Sequence, residues 1–506
     1  MQSLVTFQTK SGNRYVYDRR TKRLLLCHPL LYLMAELDRR GIDVSEWSKA
    51  SRELPFEIGV SPADFDDSEI LYYAEEWLLL KRNDMFAPID DRARLSRRLT
   101  EEDVAHSLAN THHICFETTE ACNLNCKYCS YGQFYAGFDG RKNKQLDPET
   151  AKRLLHALET RWKSPQNTNP DRRIRLSFFG GEPLVNAAFI KEVVRHARAS
   201  EFLRDRLVFS MTTNGTLLIR NMDFLVSNNF SILVSLDGNR TNDSYRVYHD
   251  GRSSFDDVMR NLETLRAEHP TYFEENVCFN AVMHDRNSVA EVHQFYKERF
   301  GQFPALSALD TSNLQQSKRN EFYKMHLDVA RSFAESENRS EIEQDLHTNL
   351  PSTNRLLHFV NAQLEFSVPN YQDLVWPENE SKILPTGTCI PFSRKLYVTA
   401  SGKILPCERI PHAFAFGRVT EGHLDLDCRS IADHYNKLYD EMTKLCARCY
   451  KANTCGQCLF KQMGPDGPKC RRFMDYDRYA QHLSEVVSDV EDRPEFYSEA
   501  MDTVVI

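Results

Sequence analysis

The sequence predicts an α/β fold centred on a parallel sheet, open or closed into a partial barrel, with a small domain before it and a cysteine-rich domain after it. Three observations carry this expectation. Strand-like and helix-like runs alternate across residues 108–312, and repeated β–α units lay their strands side by side in one parallel sheet. Residues 1–100 differ, with short alternating runs first and helical runs second. Of 14 cysteines in 506 residues, three fall within 122–129 and eight within 389–470, where Cys428 stands apart from the other seven; Cys27, Cys115 and Cys278 lie elsewhere.

In chain order, VTFQTK, RYVYDRR and RLLLCH are brief alternating runs joined by polar turns, the pattern of a strand meander. PLLYLMAELDRR and DSEILYYAEEWLLLKR repeat apolar residues at three- and four-residue steps and read as helices. Lys10, Arg14, Arg19, Arg20, Lys22 and Arg23 make the hairpin region basic, either as a solvated surface or as a face for an acidic partner. RLSRRLTEEDVAHSLAN, residues 94–110, is charged and reads as a link to the next domain.

The alternating region supplies the strands HHICFETT, IRLSFFGG, RLVFSMTTNG, FSILVSLDG, VCFNAVMH and FPALSALD. Between them lie helices at ETAKRLLHALETRW, FIKEVVRHARAS, TLLIRNMDFLVSNN, FDDVMRNLETLRAE and SVAEVHQFYKERF. The first of these starts with Asp147 as N-cap and Pro148 at its first position. Functional residues of such a sheet gather at the C-terminal ends of the strands. Residues 313–385 look mainly helical, with a Pro- and Asn-rich break near 369–380, and carry no recognisable chemistry. The cysteine-rich stretch spans 386–475, and 476–506 reads as a last helix and an acidic tail.

Composition narrows the function. A net charge of −8 argues against nucleic-acid binding, which wants a basic face. No apolar run reaches the roughly 18 residues a membrane span needs, and the first residues have no apolar signal-peptide core. A cytoplasmic location is therefore expected, where thiols stay reduced and clustered cysteines act as metal ligands. The stretch ACNLNCKYCSYG sets Cys122, Cys126 and Cys129 at C-x3-C-x2-C, just after the first strand of the β–α series. Three thiolates can hold three irons of a cubane and leave the fourth open to a small molecule. A closed zinc site needs a fourth nearby ligand and an electron carrier normally supplies four cysteines, yet both stay open on spacing alone.

With this motif the chain resembles the radical S-adenosylmethionine superfamily, whose signature is CxxxCxxC. The resemblance covers about 115–310, because further motifs fall in the expected order. It implies a partial (β/α)6 TIM-like barrel and a 4Fe-4S cluster on Cys122, Cys126 and Cys129. Gly180-Gly181-Glu182-Pro183 resembles the family's GGE motif, in which glycines let backbone approach the ligand and Glu182 meets the methionine amino group. By the same resemblance Ser235 contacts the ribose or carboxylate, Arg246 pairs with the carboxylate, and Tyr128 lies beside the adenine. Asn214, before Gly215, is either a cofactor contact or a turn residue. The implied chemistry is reductive cleavage of S-adenosyl-L-methionine to a 5′-deoxyadenosyl radical, with the electron from a reductant such as flavodoxin or ferredoxin.

The second group is Cys389, Cys407, Cys446, Cys449, Cys455, Cys458 and Cys470. Its C-terminal part would suit a zinc ribbon. Together the seven resemble the SPASM extension of the same superfamily, with x2 where the usual gap before the sixth cysteine is x3. This implies two auxiliary 4Fe-4S clusters, so three in all. Cys446, Cys449, Cys455 and Cys470 would complete one; Cys389, Cys407 and Cys458 would hold the other, short of a fourth ligand. Sulfatase-maturing relatives supply that ligand at the position of Ile383, so here the iron is open to substrate or closed by Cys428. Glu408 matches an Asp that removes the substrate proton in those relatives, and is either a base or a solvated strand-end carboxylate.

The first 100 residues resemble in outline the winged-helix-like leader-binding domain of ribosomal peptide maturases, which takes a peptide as an added strand. CSYGQFYAG and RKNKQLDPETAKRLL resemble maturases paired with Gly-Gly-leader precursors. The expected activity is hydrogen abstraction from a ribosomally made precursor peptide. The alternatives are sulfatase-type formylglycine formation and a non-catalytic iron–sulfur carrier or regulator.

Overall fold

The computed structural model describes residues 1–53, 65–346, 350, 353–354, 356–359, 382–464 and 467–494. The Pro- and Asn-rich break near 369–380 and the end of the acidic tail lie outside the described residues. The chain divides into two compact units, each built from separated segments. The first comprises Met1–Arg98, Asn354–Thr388 and Leu438–Ile506; the second comprises Leu99–Thr353 and Cys389–Lys437. The expected stretch 386–475 is thus shared between them.

In the first unit, β1 (Leu4–Gln8), β2 (Arg14–Asp18) and β3 (Arg23–Leu26) form an antiparallel meander in that spatial order. Strand alternation sends neighbouring residues to opposite faces, and both faces are covered. Leu4 and Val16 join a core with Leu30, Leu33 and Met34 of the helix Pro29–Arg39 and Ile70 and Trp77 of the helix Asp67–Arg82. Val5, Phe7 and Tyr17 pack instead on Tyr479, Leu483 and Val487 of the helix Tyr476–Glu491. Of the basic residues read as a surface, Arg19 is an exception, being buried at 2% exposure.

The second unit holds a ten-stranded sheet. Its centre is β4 (His113–Thr119), β5 (Ile174–Gly180), β6 (Leu207–Thr213), β7 (Ser231–Ser235), β8 (Val277–Met283) and β9 (Ala305–Ala308), all parallel and in sequence order. Helices Pro148–Trp162, Ala187–Ala199, Leu218–Ser227, Phe255–Glu268 and Val289–Arg299 join them. On the other side of β4 lies β10 (Leu396–Val398), paired in parallel, followed by antiparallel β11 (Lys403–Leu405), β12 (Gly417–Val419) and β13 (Leu424–Asp425). Leu396, Tyr397 and Val398 are fully buried, which is why residues from the cysteine-rich stretch belong to this sheet.

The stretch 94–110 is more than a charged link. Thr100 and Asp103 make a capping box for the helix Glu101–Ala109, whose Val104, Ala105 and Leu108 are buried. Its acidic residues sit in the first turn, where they offset the helix dipole. Along the central strands, residues such as Leu176, Phe178 and Phe209 are buried, while Ser177, Ser210 and Asn280 point the other way. Ser177 Oγ lies 2.6 Å from His113 Nε2 and 2.7 Å from Ser210 Oγ, and Ser307 donates to Asn280 Oδ1 at 2.6 Å. These polar side chains line an interior cavity of about 700 Å3. No helix among the described residues is long and apolar enough to cross a membrane.

Candidate functional site

The chain leaves β4 in a long loop that carries the first three cysteines. Segment 245–248 pins this loop: Asn125 N–H donates to Val247 O at 2.7 Å and Lys127 N–H to Tyr245 O at 3.2 Å. Gly132 N–H closes a turn on Cys129 O at 2.7 Å. Cys122, Cys126 and Cys129 then border a second cavity of about 700 Å3, together with Tyr128, Gly180, Gly181, Glu182, Asn214, Ser235 and Arg246. Tyr128, Cys129, Ser235 and Arg246 also line the interior cavity, so the two share walls.

The thiols interact with one another. Burial pushes Cys126 up to about 12, with Cys129 and Cys122 adding to the rise and Arg246 opposing it. Burial likewise raises Cys122. Thiols crowded in a water-poor place release their protons readily only when a cation takes the proton's place on sulfur, which is the donor chemistry an iron–sulfur cluster requires. Among the described residues no three His, Cys, Asp or Glu side chains converge closely enough to hold one metal ion. A cubane whose irons each take one thiol does not require such convergence.

The two glycines at the end of β5 sit against the backbone of the cysteine loop. A Cβ on Gly181 would stand 2.0 Å from Ala121 O, and one on Gly180 2.5 Å from Thr119 O. Gly180 also has φ +143°, which side chains avoid. They let the strand end press against the backbone of the cysteine loop, with Glu182 N–H donating to Ala121 O at 2.9 Å. The Glu182 carboxylate is buried at 1% exposure and accepts from Asn214 N–H (2.7 Å), Thr213 Oγ1 (2.7 Å) and Leu184 N–H (3.1 Å). Burial raises its pKa against those bonds. Asn214 ties the site together, since its side-chain amide donates to Asn123 Oδ1 at 2.9 Å and lies 3.9 Å from Cys122 Sγ.

Arg246 and Tyr128 are engaged inside the protein. Arg246 Nη1 donates to Tyr128 Oη at 3.0 Å, and Nε lies 3.7 Å from Asp243 Oδ1. Tyr128 Oη donates in turn to Asp237, and the His284 ring stacks on Tyr128 with centroids 5.7 Å apart. Asp237, Asp243 and His284 are fully buried and were missed by sequence reasoning. Asp237 sits in SLDG, where an acid before glycine looks like an ordinary turn residue. Burial raises the Asp243 carboxyl far above its ordinary range, with Arg246 opposing.

Glu408 is not a solvated strand-end carboxylate. It is half-buried, lines the interior cavity, and pairs with Lys395 Nζ at 2.9 Å. Burial would raise its pKa, but the Lys395 ammonium holds it below the ordinary value. Cys428 is buried with Arg161, Glu101 and Asp427 as its charged surroundings.

In the first unit, burial raises the Cys446 thiol, and Cys455, Cys449 and Cys470 raise it further. Cys458, which precedes the helix Leu459–Gln462, belongs to the same unit; Cys389 and Cys407 belong to the second.

Comparison with known proteins gives these features a context. Residues 116–298 match the Radical SAM superfamily model. An uncharacterized protein of Methanocaldococcus jannaschii is 30% identical over 162 residues, 31% of this chain and 49% of the relative. The radical SAM cyclopropyl synthase TigE of Paramaledivibacter caminithermalis is 29% identical over 169 residues, 32% of this chain and 33% of TigE. The chain thus spans between a third and a half of the length of these two relatives. Among solved structures, native anSMEcpe with bound AdoMet and Kp18Cys peptide superposes with TM-score 0.50 at 19% identity, covering 77% of this chain and 99% of that one. That likeness shows a shared fold. The family match thus covers residues 116–298, a little over a third of the chain.

Proposed function

We propose that this enzyme modifies a ribosomally made precursor peptide by hydrogen abstraction, using S-adenosyl-L-methionine and a 4Fe-4S cluster held by Cys122, Cys126 and Cys129. The single observation that carries the reading is the convergence of these thiols with Glu182, Asn214, Ser235 and Arg246 on one cavity that shares walls with the interior cavity of the sheet. When bound, the cluster and cofactor supply a 5′-deoxyadenosyl radical after one-electron reduction by a protein such as flavodoxin or ferredoxin. The chain's own residues bind and orient. Glu182 offers a fixed carboxylate edge to an ammonium, and Ser235 a hydroxyl at the strand end. The aromatic rings of buried Tyr128 and partly exposed Phe179 line this cavity and help keep water from the reacting carbon. Glu408, kept ionised by Lys395, is the candidate base for a substrate proton released into the interior cavity.

The peptide assignment draws on the first unit. Among the described residues β3 has a strand partner on one edge only, and Leu26 at its end is 64% exposed. An unpaired edge of this kind accepts an extended peptide as an added strand. A fold neighbour solved with a peptide supports the same substrate class. We further assign Cys446, Cys449, Cys455 and Cys470 to one auxiliary cluster.

Anaerobic reconstitution with S-adenosyl-L-methionine and dithionite tests the core of this reading: the intact enzyme yields 5′-deoxyadenosine and Cys126→Ala yields none. Co-expression with a small precursor encoded nearby, followed by mass spectrometry, tests the substrate. Formylglycine formation on a Cys or Ser peptide lacking any leader would instead identify a sulfatase-maturing type of enzyme.

A further inference from the structure

Arg19 stands at the end of β2, in the turn toward β3, yet its side chain runs inward. Nε donates to Tyr450 O at 2.8 Å and Nη2 reaches Cys449 O at 3.4 Å. Nη2 also pairs with Asp91 Oδ1 at 3.2 Å, both side chains being 1% exposed, and Nη1 donates to Gln2 O at 3.1 Å. The guanidinium lies 4.5 Å from the centroid of the Tyr450 ring, and Asn453 Nδ2 donates back to Arg19 O at 3.5 Å. One buried cation therefore spans the N-terminal meander and the loop that carries Cys446, Cys449 and Cys455.

Two physical consequences follow. A rigid planar fork can hold two adjacent carbonyls and a carboxylate at once, which a lysine ammonium on a flexible stem cannot match. The loop's own bonds run from Cys449 N–H to Cys446 O at 3.0 Å, from Tyr450 N–H to Met474 O at 2.8 Å and from Ala452 N–H to Cys449 O at 3.1 Å; Arg19 adds a second donor to the Cys449 carbonyl and directs that of Tyr450. In addition, net charge near an iron–sulfur cluster tunes its potential, and a fixed cation favours the more negative reduced form.

We propose that Arg19 is a positioning residue for the four-thiol site: it fixes the backbone of Cys449 and raises the reduction potential of the cluster assigned there. Through it, the sheet with the open β3 edge is mechanically tied to that site. The proposal rests on the reading of Cys446, Cys449, Cys455 and Cys470 as cluster ligands.

The test uses the full chain with Cys122, Cys126, Cys129 and Cys407 all replaced by alanine, so that remaining iron belongs to the four-thiol site. Anaerobic reconstitution of this background should give about four irons per chain, as a complete cubane requires, with one reducible electron paramagnetic resonance signal. Arg19→Gln in the same background should hold less than half of that iron and show a lower midpoint potential. Arg19→Lys, which keeps the charge and loses the fork, should lose iron while retaining a potential close to that of the background. Equal iron and an unshifted potential in Arg19→Gln would overturn the proposal; if that variant does not fold, full iron in folded Arg19→Lys overturns it equally. Absence of iron from the background itself would refute the four-thiol assignment, a result distinguishable from failure of the Arg19 claim alone.

Discussion

Glu117 on β4 has its carboxylate buried beside the cysteine loop, accepting from Ala400 N–H at 2.8 Å. Burial pushes its pKa to about 7 from an ordinary 4.5, with the Ala400 bond opposing the rise. A carboxyl raised on folding stabilises the protein fully below its unfolded value, and that contribution is lost as pH climbs through the folded value. The loss amounts to about 3 kcal/mol. Glu117→Gln, neutral throughout, should therefore lose less thermal stability than the parent as pH rises across this interval, as thermal melts at stepped pH would record. Gly181→Ala should cost about 1–3 kcal/mol, the range for overpacking, because Ala121 O blocks a Cβ at 2.0 Å; the same melts measure it. At this scale the cysteines were legible through their spacing, Glu182 only through the family resemblance, and Asn214 was left between a cofactor contact and a turn residue. Asp237 and His284 were not, since only the fold brings them to Tyr128 from separate strand ends.

Elements longer than about five residues announced themselves through period. The run FSILVSLDG contains β7, and ETAKRLLHALETRW falls inside a helix whose Asp147 cap accepts from Thr150 N–H as expected. Strands β10 to β13 are two or three residues long, too short for alternation to be read. The helix Glu101–Ala109 was obscured because its capping acids resemble a charged linker. The exposed end of β3 gives an element-scale test. Leu26→Asp should change stability by no more than about 0.5 kcal/mol, as at other exposed sites, while weakening capture of a leader peptide at the strand edge. Fluorescence anisotropy with a labelled precursor would show a raised Kd alongside an unchanged melt.

For the whole molecule, sequence order and spatial order part company. Both units are stitched from distant segments, so boundaries drawn at changes of composition could not follow them. β4 is paired on one side with β5, about 60 residues onward, and on the other with β10, about 280 residues onward. Closing so long a loop is entropically unfavourable and slow. A chain ending before Cys389 would leave β4 with a naked apolar edge, a template for association, and should be recovered mainly in the insoluble fraction, whereas the full chain sediments as a discrete species.

The match to the family model ends at residue 298, but β4 is sealed by Leu396, Tyr397 and Val398. The shared stretch is therefore not a portable cassette. Any chimera that transplants it must carry residues 389–437 as well, or borrow an equivalent seal from the recipient.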